Sequence, residues 1–141
     1  MRFLLDTNFL SEGMKRQPDS GVVAWGRQQS PLDLFVSVLS LGEIRKGMEL
    51  SQSDVRRAKV ESWLMNDIPL QFGGRIVPVD EHVALEWGRI AADGQRRGRT
   101  PPIIDGLLVA TAIVHGLTLV TRNERDCAGR GAPTLDPWTA I

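Results

Sequence analysis

Residues 103–126 read IIDGLLVATAIVHGLTLVTRNERD, and this stretch decides the fold class. Residues 104–115 are strongly apolar and predict a buried helix, which Gly116 closes in the position where glycine commonly ends a helix. Residues 117–120 follow directly and predict a short apolar strand. A chain that alternates such helices with apolar strands is typical of a parallel sheet covered by helices on both faces.

The rest of the chain alternates in the same way. Further strands are predicted at residues 2–5, 34–38 and 75–79, with a short last one at 134–135. Helices are predicted at residues 9–14, 22–29, 40–50, 53–67 (ended by Pro69) and 81–97, the last with Val83, Trp87 and Ile90 on one apolar stripe. We therefore expect a single α/β domain over residues 1–141, with α/β/α layers and a central, mainly parallel sheet of four or five strands.

Length and composition favour a small cytoplasmic domain. The 141 residues suit one domain with one core. No apolar stretch approaches the roughly 18 residues of a membrane span, and the N-terminus lacks the pattern of a signal peptide. We therefore expect a soluble cytoplasmic protein with no membrane contact. The net charge of zero gives no support to a general attraction to nucleic acid.

The chain has few residues that bind soft metals. Cys127 is the only cysteine, and His82 and His115 are the only histidines. This excludes an internal disulfide, a thiolate-clustered zinc site and a multi-histidine centre. A metal bound here would need carboxylates, which select hard cations such as Mg²⁺ or Mn²⁺.

Four acidic residues occupy strand ends or helix starts: Asp6, Glu43, Asp105 and Asp126. Ligands of parallel sheets bind outside the carboxyl ends of the strands, so we expect these four side chains to meet at one edge. Each acid alone has a structural explanation, and Ser40-x-x-Glu43 in particular matches a capping box. Four carboxylates crowded together repel one another, and a divalent cation resolves that repulsion.

Three segments together resemble one family. They are LLDTNFLSE at residues 4–12, SVLSLGEIRKG at 37–47, and the stretch quoted above. In this order they resemble the PIN-domain ribonucleases, and among these the VapC-like toxins of bacterial toxin–antitoxin pairs. Two positions depart from the pattern. Cys127 replaces the usual phenylalanine after Asp126 and is interpreted as a small apolar residue, and Asn123 is neutral where some members carry an acid.

The resemblance implies a PIN-like fold and a metal-dependent endoribonuclease that hydrolyses RNA phosphodiester bonds with Mg²⁺ or Mn²⁺. Asp6 and Asp105 would be the primary metal ligands, Glu43 would ligate the metal or orient the attacking water, and Asp126 would hold a second ion or a water. Four further residues are expected to orient these carboxylates or to contact phosphate: Thr7, Asn8, Thr121 and Asn123.

The expected partners follow from the same resemblance. They are an RNA substrate and a cognate antitoxin, in a homodimer or in a larger hetero-oligomer with the antitoxin. Arg96, Arg97 and Arg99 lie just before Asp105. They are candidates for contact with the RNA backbone, although basic residues at a helix end also complement its dipole.

Other classes fit the residues less well. A receiver-type phosphoacceptor would need paired acids after the first strand and a late lysine, but no lysine follows Lys59. A haloacid-dehalogenase-like phosphatase would need an aspartate where Asn8 stands, and no phosphate-binding loop of the G-x-x-x-x-G-K type occurs. A non-catalytic PIN-like module that binds RNA or a partner remains the alternative, and so does cleavage of DNA.

Overall fold

A computed structural model describes residues 1–138 and contains a five-stranded, fully parallel sheet. The strands lie in the order β3-β2-β1-β4-β5. Their bounds are β1 Phe3–Leu5, β2 Leu34–Ser37, β3 Ile76–Val77, β4 Thr118–Val120 and β5 Thr134–Leu135. The predicted parallel sheet of four or five strands is therefore confirmed. β1 is central, and its residue Leu5 pairs with Val36 of β2 and with Val120 of β4, so β1 and β4 end at the same level and β2 continues for one more residue.

Helices connect the strands and cover both faces of the sheet. Their bounds are α1 Thr7–Glu12, α2 Ser20–Gln28, α3 Val38–Leu50, α4 Asp54–Ser62, α5 Ile68–Phe72, α6 Glu81–Arg96, α7 Ile103–His115 and α8 Glu124–Cys127, with a 3₁₀ turn at Pro31–Asp33. None of the helices in residues 1–138 combines the length and the apolar character that crossing a membrane requires.

The two faces of the sheet have separate apolar clusters, because successive strand side chains point to opposite sides. Leu4 and Leu119 pack with α6 and α7, and the predicted stripe belongs here: Val83 and Ile90 are buried and Trp87 packs against them. The other cluster joins the opposite strand side chains to α1, α3 and α5; it includes Phe3, Leu5, Val36, Val120, Leu10, Ile44 and Ile68. The predicted three-layer arrangement is therefore confirmed.

The predicted helix over residues 53–67 does not end before Pro69. The chain stays helical from α4 through a π-helical turn, Trp63–Asp67, into α5. Pro69 lies in the first turn of α5, where a proline is tolerated because its fixed φ suits the start of a helix. Reading the proline as a stop signal was therefore wrong.

Gly94, near the end of α6, allows the loop before α7 to pack closely against this helix. A Cβ there would lie 2.6 Å from the carbonyl oxygen of Arg99 and 2.9 Å from Cδ of Pro101. We expect Gly94→Ala to lower the free energy of unfolding by roughly 1–3 kcal/mol in urea denaturation, because neither atom can yield without moving the loop. Gly88 is the matched control, since a Cβ there meets nothing within 4 Å. Gly88→Ala should raise the stability by roughly 0.5–1 kcal/mol, and equal effects at the two positions would contradict this explanation.

Candidate active site

Asp6 follows β1 directly and begins α1. Its Oδ1 accepts a hydrogen bond from the backbone N–H of Thr7 at 2.6 Å, so the carboxylate caps the helix. Its Oδ2 accepts from the Thr121 hydroxyl, just beyond β4, at 2.7 Å. The side chain is buried, with the residue 5% exposed. Burial raises the pKa of Asp6 above its ordinary value, the nearby charge of Glu43 adds to this, and the two hydrogen bonds oppose it.

Thr7 joins α1 to α3 through its hydroxyl group. Its Oγ1 lies 2.6 Å from Oε1 of Glu43 and 3.0 Å from Oγ of Ser40. A hydroxyl carries a single proton. The shorter distance assigns that proton to the carboxylate, so Thr7 accepts the bond from Ser40. Thr7 therefore touches Asp6 through its backbone and Glu43 through its side chain.

The capping box predicted at Ser40-x-x-Glu43 is absent. β2 ends at Ser37 and α3 begins at Val38, two residues earlier than predicted. The helix is capped by Ser37, whose Oγ accepts from the N–H of Leu39 at 3.0 Å. Ser40 lies inside the helix and is fully buried. Glu43 therefore does not take part in capping α3, and its carboxylate accepts a hydrogen bond from Thr7 instead.

Asp105 and Asp126 are held by one amide group. Nδ2 of Asn123 donates to Oδ2 of Asp105 at 2.9 Å and to Oδ2 of Asp126 at 3.0 Å. Asp105 lies in the first turn of α7, and Asp126 lies in α8. The pKa of Asp105 is raised to about 6, mainly by burial and then by the charges of Asp6, Asp126 and Glu43.

The structure therefore brings the four predicted acids to one edge of the sheet. Asp6 is buried, whereas Glu43, Asp105 and Asp126 are partly exposed to solvent. Their charges act on one another, as the raised pKa of Asp105 shows. The cluster is thus open on one side to a ligand from solution, while its inner carboxylate is fixed.

The four predicted supporting residues lie among these acids. Thr121 is fully buried, so it positions Asp6 and cannot reach a phosphate. Its Oγ1 also accepts from the N–H of Asn123 at 2.9 Å. Asn8 makes only long contacts, 3.5 Å to Thr121 Oγ1 and 3.4 Å from the N–H of Arg122. Asn8 and Thr7 are both partly exposed, so contact with phosphate stays a prediction for these two.

Two residues that the sequence reasoning missed also support the site. One is Ser40, which was seen only as half of a capping box and instead contacts Thr7. The other is Arg130, whose guanidinium donates to the backbone oxygens of Asp126 and Arg99. Nothing in the local sequence signals this role, because it depends on how the last loop folds back.

Cys127 is fully buried beside the acids. Burial first, and the charges of Asp105, Asp6 and Asp126 after it, raise the pKa of the Cys127 thiol to about 12. A thiol with this pKa stays protonated at neutral pH and is a poor nucleophile. This supports the interpretation of Cys127 as a small apolar residue.

Arg96, Arg97 and Arg99 are exposed at the end of α6 and just beyond it. Arg97 forms an ion pair with Asp93 at 3.3 Å. Arg99 donates to the carbonyl oxygen of Arg125 at 2.6 Å. Two of the three guanidinium groups thus already have protein partners, and their contact with RNA remains a prediction.

The donor set suits a hard divalent cation, because every candidate ligand is a carboxylate oxygen. Within residues 1–138, no three histidine, cysteine or acidic side chains form a group that could hold a metal ion. Asn123 is hydrogen-bonded to both Asp105 and Asp126, and Thr7 and Thr121 fix Glu43 and Asp6. Because no three of these side chains can hold one ion together, the arrangement fits a cation that is bound by one or two carboxylates and keeps several waters, as Mg²⁺ commonly does.

A parallel α/β sheet with acidic side chains gathered at the carboxyl ends of its strands defines a class of α/β domains with a carboxylate site. Comparison with known proteins places the chain within this class. It belongs to the PIN domain family, whose model matches residues 3–128.

Two curated relatives match the chain over almost its full length. Toxin FitB of Neisseria gonorrhoeae is 33% identical over 135 residues, covering 96% of this chain and 97% of the relative. The VapC ribonuclease Y4jK of Sinorhizobium fredii is 29% identical, covering 96% of each. The crystal structure of FitAcB from Neisseria gonorrhoeae matches with a TM-score of 0.92 and 32% identity, covering 97% of this chain and 99% of that one. The predicted family is therefore confirmed.

Proposed function

We propose that this chain is a divalent-metal-dependent endoribonuclease that acts as the toxin of a toxin–antitoxin pair. The observation that carries the proposal is the crowding of Asp6, Glu43, Asp105 and Asp126 at one edge of the sheet, where the pKa of Asp105 is raised to about 6. Mutual repulsion of this kind is relieved by a bound cation. Relatives named as a toxin and as a ribonuclease support the choice of reaction and of biological role.

In this proposal the carboxylates would hold the metal, and the neighbouring hydroxyl and amide groups hold the carboxylates in place. Asp6 and Asp105 would hold Mg²⁺ or Mn²⁺, which when bound lowers the pKa of a water and neutralises charge on phosphoryl oxygens. Asp126 would hold a second ion or a water beside Asp105. Thr7, Thr121 and Asn123 keep the carboxylates in place through the hydrogen bonds described above.

Glu43 is the residue that we assign to the attacking water. Its Oε1 accepts from Thr7, and its Oε2 has no hydrogen-bond partner in the described part of the chain. The free oxygen is on a partly exposed side chain at the open side of the site. Glu43 would therefore accept a proton from the attacking water at Oε2, while Thr7 fixes the orientation of the carboxylate.

The proposed partner is a cognate antitoxin, in a homodimer or a larger hetero-oligomer, and the proposed compartment is the cytoplasm. A structure of FitAB bound to a DNA fragment matches this chain with a TM-score of 0.91 and 30% identity. This likeness supports assembly with a second protein. The non-catalytic alternative is disfavoured, because a module that only binds would not need to keep four mutually repelling acids.

Incubation of the purified chain with a mixed pool of RNA tests the enzyme proposal. We expect cleavage with Mg²⁺ or Mn²⁺, none in EDTA, and recovery when excess divalent ion is restored. Sequencing of the new ends would then give the cleavage site. Cleavage that persists in EDTA would contradict the role of the metal. A complete absence of cleavage with every divalent ion and RNA class would favour the non-catalytic module.

A further inference from the structure

A large groove opens beside the acids on the side of α3 and α4. It has a volume of about 680 Å³, and Thr7 and Glu43 lie at one end of it. Glu43 and Ser51 both line the groove. They are eight residues apart along α3 and its C-terminal end, so the groove extends at least about 12 Å from the site at 1.5 Å per helical residue. It is continuous with the candidate active site.

The charged lining of this groove is strongly one-sided. Four basic residues line it, two after α1 and two on α4, and we call this surface the basic groove: Lys15, Arg16, Arg56 and Lys59. Glu43 is the single acidic residue of the lining. Because the chain as a whole has no net charge, this concentration of positive charge is local.

Most of these basic side chains are available to bind a ligand. Arg16, Arg56 and Lys59 are exposed, and none of the three has a side-chain hydrogen bond or ion pair within residues 1–138. Lys15 alone is engaged, in an ion pair with Glu12 at 2.9 Å. This contrasts with Arg97 and Arg99, which already have partners within the protein.

Apolar and aromatic side chains lie between the basic ones. The groove is also lined by Met14, Met48, Val60 and Trp63. Grooves that bind single-stranded nucleic acid commonly combine positive charges along the backbone path with aromatic surfaces on which bases stack. The basic groove has both components, and Trp63 is the aromatic residue in it.

We propose that the basic groove binds the backbone of single-stranded RNA and leads it to the carboxylates at Glu43. Arg16, Arg56 and Lys59 contact phosphates on one side of the bond to be cut, and the bases lie toward Trp63. The inference rests on the proposed nuclease function and names the surface through which the substrate enters. An acidic segment of a protein is the competing occupant.

A pair of double variants tests this inference. Arg56→Gln/Lys59→Gln removes two charges from the groove. Arg45→Gln/Lys46→Gln removes the same two residue types from a part of α3 that does not line the groove. Both pairs are exposed, and the Arg45 control breaks only a surface ion pair with Glu49. Binding of a labelled single-stranded RNA is measured with each pair placed in an Asp105→Asn background with Mg²⁺, where cleavage is not expected.

We expect the groove variant to bind RNA about 25-fold more weakly at 0.1 M salt, and the control variant to keep its affinity. For single strands each phosphate contact contributes a slope of about 0.7 in log–log salt dependence, which is about fivefold at 0.1 M. The slope should fall by roughly 1.4 in the groove variant alone. Unchanged affinity in both variants would overturn the inference, and an acidic segment of a protein would then be the remaining candidate occupant of the groove. An equal loss in both would also overturn it, because total charge would then be the cause.

Cleavage by the chain with Asp105 intact separates this inference from the function on which it rests. If that chain cuts RNA while the groove variant and its control have equal affinity, the groove assignment fails and the nuclease function stands. If it cuts no RNA with any divalent ion, the nuclease function itself fails. A higher KM in the groove variant, with an unchanged rate at saturating RNA, supports binding rather than chemistry as the role of the groove.

Discussion

Asp105→Asn is expected to reduce RNA cleavage by about 1,000-fold or more while the protein stays folded. A metal ion contributes several kcal/mol of charge stabilisation to phosphodiester cleavage, and each 1.4 kcal/mol corresponds to about tenfold in rate. The substitution should not harm the fold, because the pKa of Asp105 is already raised to about 6 by burial and by neighbouring acids. Asparagine removes that repulsion and can still accept the hydrogen bond from Asn123.

Two measurements check this result together. The rate of cleavage is compared with that of Asp67→Asn, which makes the same chemical change at an exposed aspartate outside the site. Thermal unfolding is then followed with and without Mg²⁺. Added Mg²⁺ should raise the Tm of the wild type and of Asp67→Asn, and should raise it much less in Asp105→Asn. Full activity of Asp105→Asn would remove this residue from the proposed metal ligands.

Asp6→Asn should lose cleavage to a similar extent, but here a loss of activity is harder to separate from a loss of stability. Asp6 is buried and bonded to both Thr7 and Thr121. The amide of asparagine would place an N–H group where one of these donors now points. A loss of activity at Asp6 therefore has to be read beside its melting curve, whereas Asp105 separates chemistry from folding more cleanly.

Asn123→Asp is expected to destabilise the metal-free protein by about 3 kcal/mol or more. The change removes two hydrogen bonds from Nδ2 to the carboxylates of Asp105 and Asp126. Bonds to charged groups contribute about 1.5–3 kcal/mol each, and the variant also adds a third negative charge between them. The free energy of unfolding is measured in EDTA and again with excess Mg²⁺, which should recover more stability in the variant than in the wild type.

Asn66→Asp is the matched control for the added charge. Asn66 is exposed in the π-helical turn, and its amide makes only a 3.4 Å contact with Ser62. Its stability should change little and should not depend on Mg²⁺. If Asn123→Asp were as stable in EDTA as this control, the amide of Asn123 would not be separating the two acids, and the charge cluster would be weaker than we infer.

The acidic edge, which consists of Asp6, Glu43, Asp105 and Asp126, was predictable because it depends on topology alone. Asp6 directly follows an apolar strand, and Asp126 lies shortly after another one. In a parallel sheet, such positions come to the same edge whatever the details of packing. The sheet itself followed from the alternation of apolar helices and strands, and its order with β1 in the middle needed the structure.

The details that were wrong depend on competition between neighbouring residues. Two serines, Ser37 and Ser40, could cap α3, and only the structure shows that the strand ends at the first of them. Pro69 reads as a stop signal, yet the helical path continues across it. The basic groove was also invisible, because Arg16 and Arg56 are 40 residues apart and meet only through tertiary packing.

The bond between Thr121 and Asp6 spans 115 residues. β1 is translated long before β4, and its central place in the sheet is filled on both sides only once β4 has been made. Asn123 and Asp126 come later still. The four acids can therefore assemble only after the residues up to Asp126 have been translated. We therefore expect a nascent copy that ends before Asp126 to be unable to cut RNA, including the message from which it is being made.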